Sequence, residues 1–191
     1  MVLFHSYSIP SAAQDAAARP SRWEIRVGSG RLIPTGDQRR ILKPADLTAA
    51  QVAWVVRPSF AITGTFGWAR SRDLGSLNAP KLDAFTSDLG VELRPAPWFA
   101  GRVVTFSPLV GLGGGARSYN YRSVEADATH NLSGYAALGG EFGARRVALR
   151  LELRDYASGF KPLVGAGTSD TRNDVVVMAA LRFKRHAAAH R

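Results

Sequence analysis

The sequence predicts an all-β fold, an eight-stranded antiparallel up-and-down transmembrane β-barrel with short turns at one rim and longer loops at the other. Three observations carry that prediction. Apolar residues recur with a period of two along most of the chain and almost nowhere with a period of 3.6. The connections between the alternating segments are short and long in strict turn. Aromatic residues collect at the ends of the segments that short connections join.

In chain order, the first segment sets Trp23, Ile25 and Val27 against Glu24 and Arg26. The second opposes Val52, Trp54 and Val56 to Gln51, Ala53 and Val55, and the third opposes Phe60, Ile62, Gly64, Phe66 and Trp68 to Ala61, Thr63 and Thr65. The fourth places Leu89, Val91 and Leu93 against Glu92 and Arg94. The fifth places Phe106, Pro108, Val110 and Leu112 against Thr105, Ser107 and Leu109, with Pro108 an awkward occupant of a sheet. The sixth sets Leu132, Ala136, Leu138 and Phe142 against Ser133, Tyr135 and Glu141. The seventh is the clearest: Val147, Leu149, Leu151 and Leu153 alternate with Ala148, Arg150, Glu152 and Arg154, charges that a helix would scatter and a strand aims to one side. The eighth opposes Val175, Val177, Ala179, Leu181 and Phe183 to Val176, Met178 and Arg182.

Residues 57–58, 95–101 and 144–145 make the short connections; 34–46, 71–81, 116–130 and 157–173 make the long ones. Tight periplasmic turns and longer external loops give a bacterial outer-membrane barrel this rhythm. Trp23, Trp54, Phe60, Trp98, Phe99, Phe142 and Phe183 then share the short-turn rim as an aromatic girdle, while Trp68, Phe85, Tyr119, Tyr121 and Tyr156 fall towards the other rim.

Composition excludes several classes. The longest apolar stretches fall well short of the roughly 18–20 residues of a membrane-spanning helix. The mean hydropathy of −0.09 does not exclude a barrel, whose strands alternate and average near neutral. The absence of cysteine removes disulfides, thiolate metal sites and thiol nucleophiles. The formal net charge of +10 is spread over the whole chain and marks no nucleic-acid motif. Residues 1–21 read as a leader or the remnant of a signal peptide, 22–183 as the barrel, and 184–191 as a basic C-terminal tail.

With the apolar faces turned to lipid, the other faces fill the lumen. They carry Glu24, Arg26, Glu92, Arg94, Glu141, Arg150, Glu152 and Arg154, along with Gln51 and Thr63. A binder of greasy ligands would show the inverse, apolar within and polar without. Buried charges need partners, so Glu92, Glu141 and Glu152 are expected to accept from Arg26, Arg94, Arg150 and Arg154 across the lumen, as an ionic plug. Arg39, Arg40, Lys43, Arg117 and Arg122 are expected in the external loops, where cations suit the phosphates of lipopolysaccharide.

Strand count, loop rhythm and the segment Leu149-Arg150-Leu151-Glu152-Leu153-Arg154-Asp155-Tyr156 resemble the small outer-membrane barrel superfamily that includes the OmpA transmembrane domain and OmpX. The resemblance covers about residues 22–183. It implies a monomeric barrel inserted by the barrel assembly machinery, with outer-membrane lipid and lipopolysaccharide as partners. One departure is that Phe183 takes the place of the family's terminal aromatic residue, yet residues 184–191 follow it.

No catalytic machinery, metal, cofactor or nucleic-acid partner is expected. His130 and Ser133 are three apart, which sends them to opposite faces of a strand, and Glu141 lies far along it. His5, His130, His186 and His190 are dispersed. Residues 111–115 (Gly-Leu-Gly-Gly-Gly) lack the Gly-Lys-Ser/Thr ending of a phosphate loop and read as a bend in a strand. The function expected is a plugged barrel with a structural or surface-interaction role. A narrow channel for small solutes and a soluble anion- or nucleic-acid-binding β-barrel are the alternatives.

Overall fold

The computed structural model describes residues 22–100, 104–122, 129–144, 147–160 and 170–183. Its strands are β1 (Trp23–Pro34), β2 (Ala45–Arg57), β3 (Phe60–Arg72), β4 (Lys81–Leu93), β5 (Phe99–Ala100), β6 (Val104–Tyr121), β7 (Thr129–Ala144), β8 (Val147–Phe160) and β9 (Asp170–Phe183). β5 is two residues long and pairs with β6 alone. The other eight are the staves of the barrel. Each pairs antiparallel with its neighbours, β1 meets β9, and β4 passes β5 to pair with β6, so the sheet closes and leaves no edge. The expected leader 1–21 and tail 184–191 lie outside the described residues.

The alternation sorts the side chains as the apolar periodicity requires. Trp23, Ile25, Val27, Ile62, Phe66, Leu89, Leu138, Leu149, Leu151, Leu153 and Leu181 are exposed on the outside, while Arg26, Gln51, Thr63, Glu92, Arg150, Glu152 and Arg154 are buried inside. An apolar surface this continuous is the mark of a wall that faces hydrocarbon. The belt closes at Arg31, Asp46 and Asp155, each eight residues along its strand from Trp23, Trp54 and Val147 at the short-turn rim. Eight residues of strand tilted by about 40° rise about 20 Å, close to the apolar band of such barrels.

The strands run further towards the long loops than the sequence predicts. β6 reaches Tyr121 and β3 reaches Arg72, so residues 116–121 and 71–72 are ladder rather than loop. Residues 111–115 are not a bend: β6 keeps unbroken register there with both β4 and β7. Gly113 instead makes room for the Tyr135 ring, which a methyl group at that position would overlap. The first long connection folds back over the outer mouth. Its 3-10 helix (Gly36–Arg40) is followed by Leu42, which bridges to Asp73 of the next loop. Gln38 and Leu42 are both fully buried, and Leu74 N–H donates to the Ile41 carbonyl at 2.6 Å.

Candidate functional site

Among the described residues, the ion pairs of the inward faces join six arginines (Arg26, Arg94, Arg117, Arg150, Arg154, Arg182) to six carboxylates (Glu24, Asp88, Glu92, Glu141, Glu152, Asp174). Nearest the short-turn rim, Glu24 accepts from Arg26, from Arg94 Nη2 at 3.0 Å and from Arg182 Nη1 at 3.1 Å. Arg182 also grips Glu141, through Nε at 3.0 Å and Nη2. One level up, Glu92 receives Arg26, Arg94 and Arg150, and Arg150 Nε donates to Glu152 Oε2 at 2.7 Å. Higher still, Arg154 joins Glu152 to Asp88, which also accepts from Tyr156 Oη at 2.6 Å. Tyr135 lies against this layer, its ring 4.6 Å from the Arg154 guanidinium. Arg117 and Asp174 form the outermost pair, and Arg117 stacks 4.3 Å over the Tyr156 ring.

All eight sequence-predicted lumen residues thus enter one network, but two expectations need correction. Glu141 is held by Arg182, not by the four arginines expected; Arg150, which register sets opposite Glu141, turns to Glu92 and Glu152 instead. Arg117 is not a loop cation. It is 1% exposed inside the barrel, because β6 extends past it and its inward parity is that of Leu109 and Gly113. Asp88, Asp174 and Tyr156 were missing from the predicted set; Asp88 lies two turns of the pleat from Glu92 on the same face, a signal the alternation already contained.

The lumen is not polar throughout. Around the Arg117–Asp174 pair, above the other ionic layers, Leu32, Leu42, Leu47, Leu82, Tyr119 and Val176 form an apolar cluster under the first loop. Between the two, a cavity of about 10 Å³ lies beside Arg26, Gln51, Arg150 and Glu152, room for about one water molecule. Tyr119 and Tyr156, expected among rim aromatics, are core side chains of this interior.

On the outside, Trp23 stacks on Trp54 (6.3 Å between centroids), and Trp98, Phe106 and Phe142 form a second group at 6.0 and 4.8 Å. Phe60 is half-buried at the same rim, and Phe106 joins the girdle unpredicted. Phe99 and Phe183 occupy strand positions there, with side chains outside the described residues. His130 Nδ1 lies 2.7 Å from Ser118 Oγ on the outward face, while Ser133 is buried inside, so His130, Ser133 and Glu141 form no catalytic trio.

Arg39, Arg40 and Lys43 are exposed at the outer mouth, and Arg122 Nε donates to Asp83 Oδ2 at 2.7 Å. Where β1 to β4 leave the belt, these last two cations join a surface pocket of about 420 Å³ with Arg31, Arg70, Arg72 and Lys81.

No family model and no curated protein matches the chain. Solved structures do. Neisserial surface protein A superposes with a TM-score of 0.65 at 8% identity, covering 87% of this chain and 99% of that one. The outer membrane protein OprG of Pseudomonas aeruginosa gives 0.57 at 13%, over 86% and 96%. The N-terminal β-barrel domain of OprF from the same organism gives 0.52 at 9%, over 87% and 100%. The chain therefore has the eight-stranded fold of the small bacterial outer-membrane barrels, and its exposed apolar belt is a surface suited to the hydrocarbon of a membrane.

Proposed function

We propose that the protein is a sealed, monomeric outer-membrane barrel that works through its external rim, holding the phosphate-bearing surface of the outer leaflet, lipopolysaccharide above all, and performing no chemistry of its own. The observation that carries this reading is the balance of the interior. Among the described residues, six arginines are ion-paired with six carboxylates there, so these paired groups add nothing to the net charge of +10. Charges neutralised and packed in this way leave no lining to attract or pass an ion, whereas exposed cations at the mouth are free to meet phosphates.

Planar-bilayer recording of the refolded protein tests the first half. Silence at voltages that leave the barrel intact is expected, and steady unitary conductance in the unaltered chain would replace this reading by the narrow channel. Insertion by the barrel assembly machinery belongs to the same proposal.

A further inference from the structure

We propose that the pocket at the outer ends of β1 to β4 is a binding site for one lipid carrying two phosphate monoesters, seated from the membrane side of the wall. This deepens the reading of the external rim and rests on it.

The pocket lies at the level where headgroups sit. On β3 the outward row runs Phe60, Ile62, Gly64, Phe66, Trp68 and then Arg70 and Arg72, so the cations begin where the apolar belt ends. Its volume of about 420 Å³ is in the range of small-molecule sites. Six cations line it: Arg31, Lys43, Arg70, Arg72, Lys81 and Arg122. Two of them are spent on the pocket's own carboxylates, Arg31 on Asp46 at 3.3 Å and Arg122 on Asp83 at 2.7 Å. That leaves a net charge of four. A phosphate monoester carries about −1.5 to −2 near neutral pH, so two of them match it.

The other cations are held together against their own repulsion. Arg72 and Lys81 are direct cross-strand partners on the outward face, an arrangement that costs stability between like charges. Lys43 is pinned beside them, because its N–H donates to the Arg72 carbonyl at 3.0 Å and Ser71 Oγ donates to its own carbonyl at 2.5 Å. Among the described residues, none of these three cations is in an ion pair. Backbone ladders therefore concentrate unneutralised charge that a multivalent anion would relieve. Below it the wall changes character. Arg70 stacks 4.4 Å over Trp68, whose Nε1 donates to Asp83, and Phe66 and Phe85 stack at 6.2 Å one step further down. Cations above and flat aromatic rings below suit a molecule with phosphates on its head and acyl chains beneath it.

The test titrates the full chain, refolded in detergent micelles, with bisphosphorylated hexa-acyl lipid A and reads occupancy by native mass spectrometry. One lipid per barrel is expected. R72S/K81S should bind it at least tenfold more weakly, and monophosphorylated lipid A should bind the wild type about tenfold more weakly. R57S, which removes an exposed cation at the short-turn rim, should stay within twofold of wild type; R39S/R40S removes the mouth cations outside the pocket and tells the site from the rest of the rim. Each variant must keep the heat-dependent gel shift of a closed barrel, and R72S/K81S should melt slightly higher without lipid, as relieved repulsion requires. Equal affinity of R72S/K81S and wild type would overturn the site, as would loss confined to R39S/R40S; the second result would leave the rim reading standing. Absence of any lipid A binding by the wild type would remove both. Competition by inorganic phosphate at equal concentration would make this a phosphate site and end the lipid assignment.

Discussion

Glu92 shows most plainly what a single residue does in this barrel. It is 3% exposed and lies within ion-pair distance of three arginines, Arg26, Arg94 and Arg150. Glu92→Gln keeps its shape and removes its charge, leaving guanidiniums buried with too few anions. Breaking a buried pair from one side costs about 3–5 kcal/mol, so the urea midpoint of E92Q in micelles should fall steeply. Asp46 provides the contrast. Its pairing with Arg31 is open to solvent, with the Asp46 side chain 91% exposed, and D46N should change stability by less than about 1 kcal/mol. Equal effects of the two substitutions would show that the lumen is wetter than its packing implies.

At the scale of the element, the first eight residues of β8 were legible because they obey one rule, leucine and valine outward and, Ala148 apart, charge inward. The rule fails towards the outer mouth. β2 turns Ala45, Leu47 and Ala49 inward, where the apolar cluster receives them, so alternation of polarity stops while the ladder continues. For the same reason Arg117 read as a loop residue: the Gly-Leu-Gly-Gly-Gly run before it carries little polarity contrast, and only pairing with β4 and β7 shows that the strand persists. The pocket above β1 to β4 was half legible, with Lys43 and Arg122 recognisable as loop cations. Arg72 and Lys81 become neighbours only through register. The belt's depth can be measured on β8 itself. Leu151 lies midway between Val147 at the short-turn rim and Asp155 at the outer limit. Leu151→Arg should cost about 2–4 kcal/mol and Val147→Arg about 0–1 kcal/mol in bilayer-refolding equilibria. A flat profile would contradict a membrane on that face.

The whole molecule closes its lumen twice, in two layers of different chemistry set in series. The inner closure is ionic, built from Glu24, Arg26, Glu92, Arg150, Glu152 and Arg154 on three strands. The outer closure is apolar, where Leu42 of the first loop packs with Leu32, Leu82, Tyr119 and Val176. Closures in series behave as resistances in series, so opening one should not make a channel. Replacing residues 36–42 by a Gly-Ser linker removes the outer closure and leaves the ionic layers intact; bilayers containing that variant should stay silent. Arg150→Ala and Glu92→Ala together remove one charge of each sign, which leaves the net charge of the lumen unchanged, and this variant should also stay silent beneath the intact loop. Combining the two changes should give measurable unitary conductance and faster liposome swelling in small sugars. The ions favoured should be anions, since the ion pairs left within stay balanced and the cationic outer mouth would set selectivity. Conductance from the loop replacement alone would mean that the ionic layers yield to ions on the recording timescale, and the sealed-barrel reading would give way to a channel gated by its first loop.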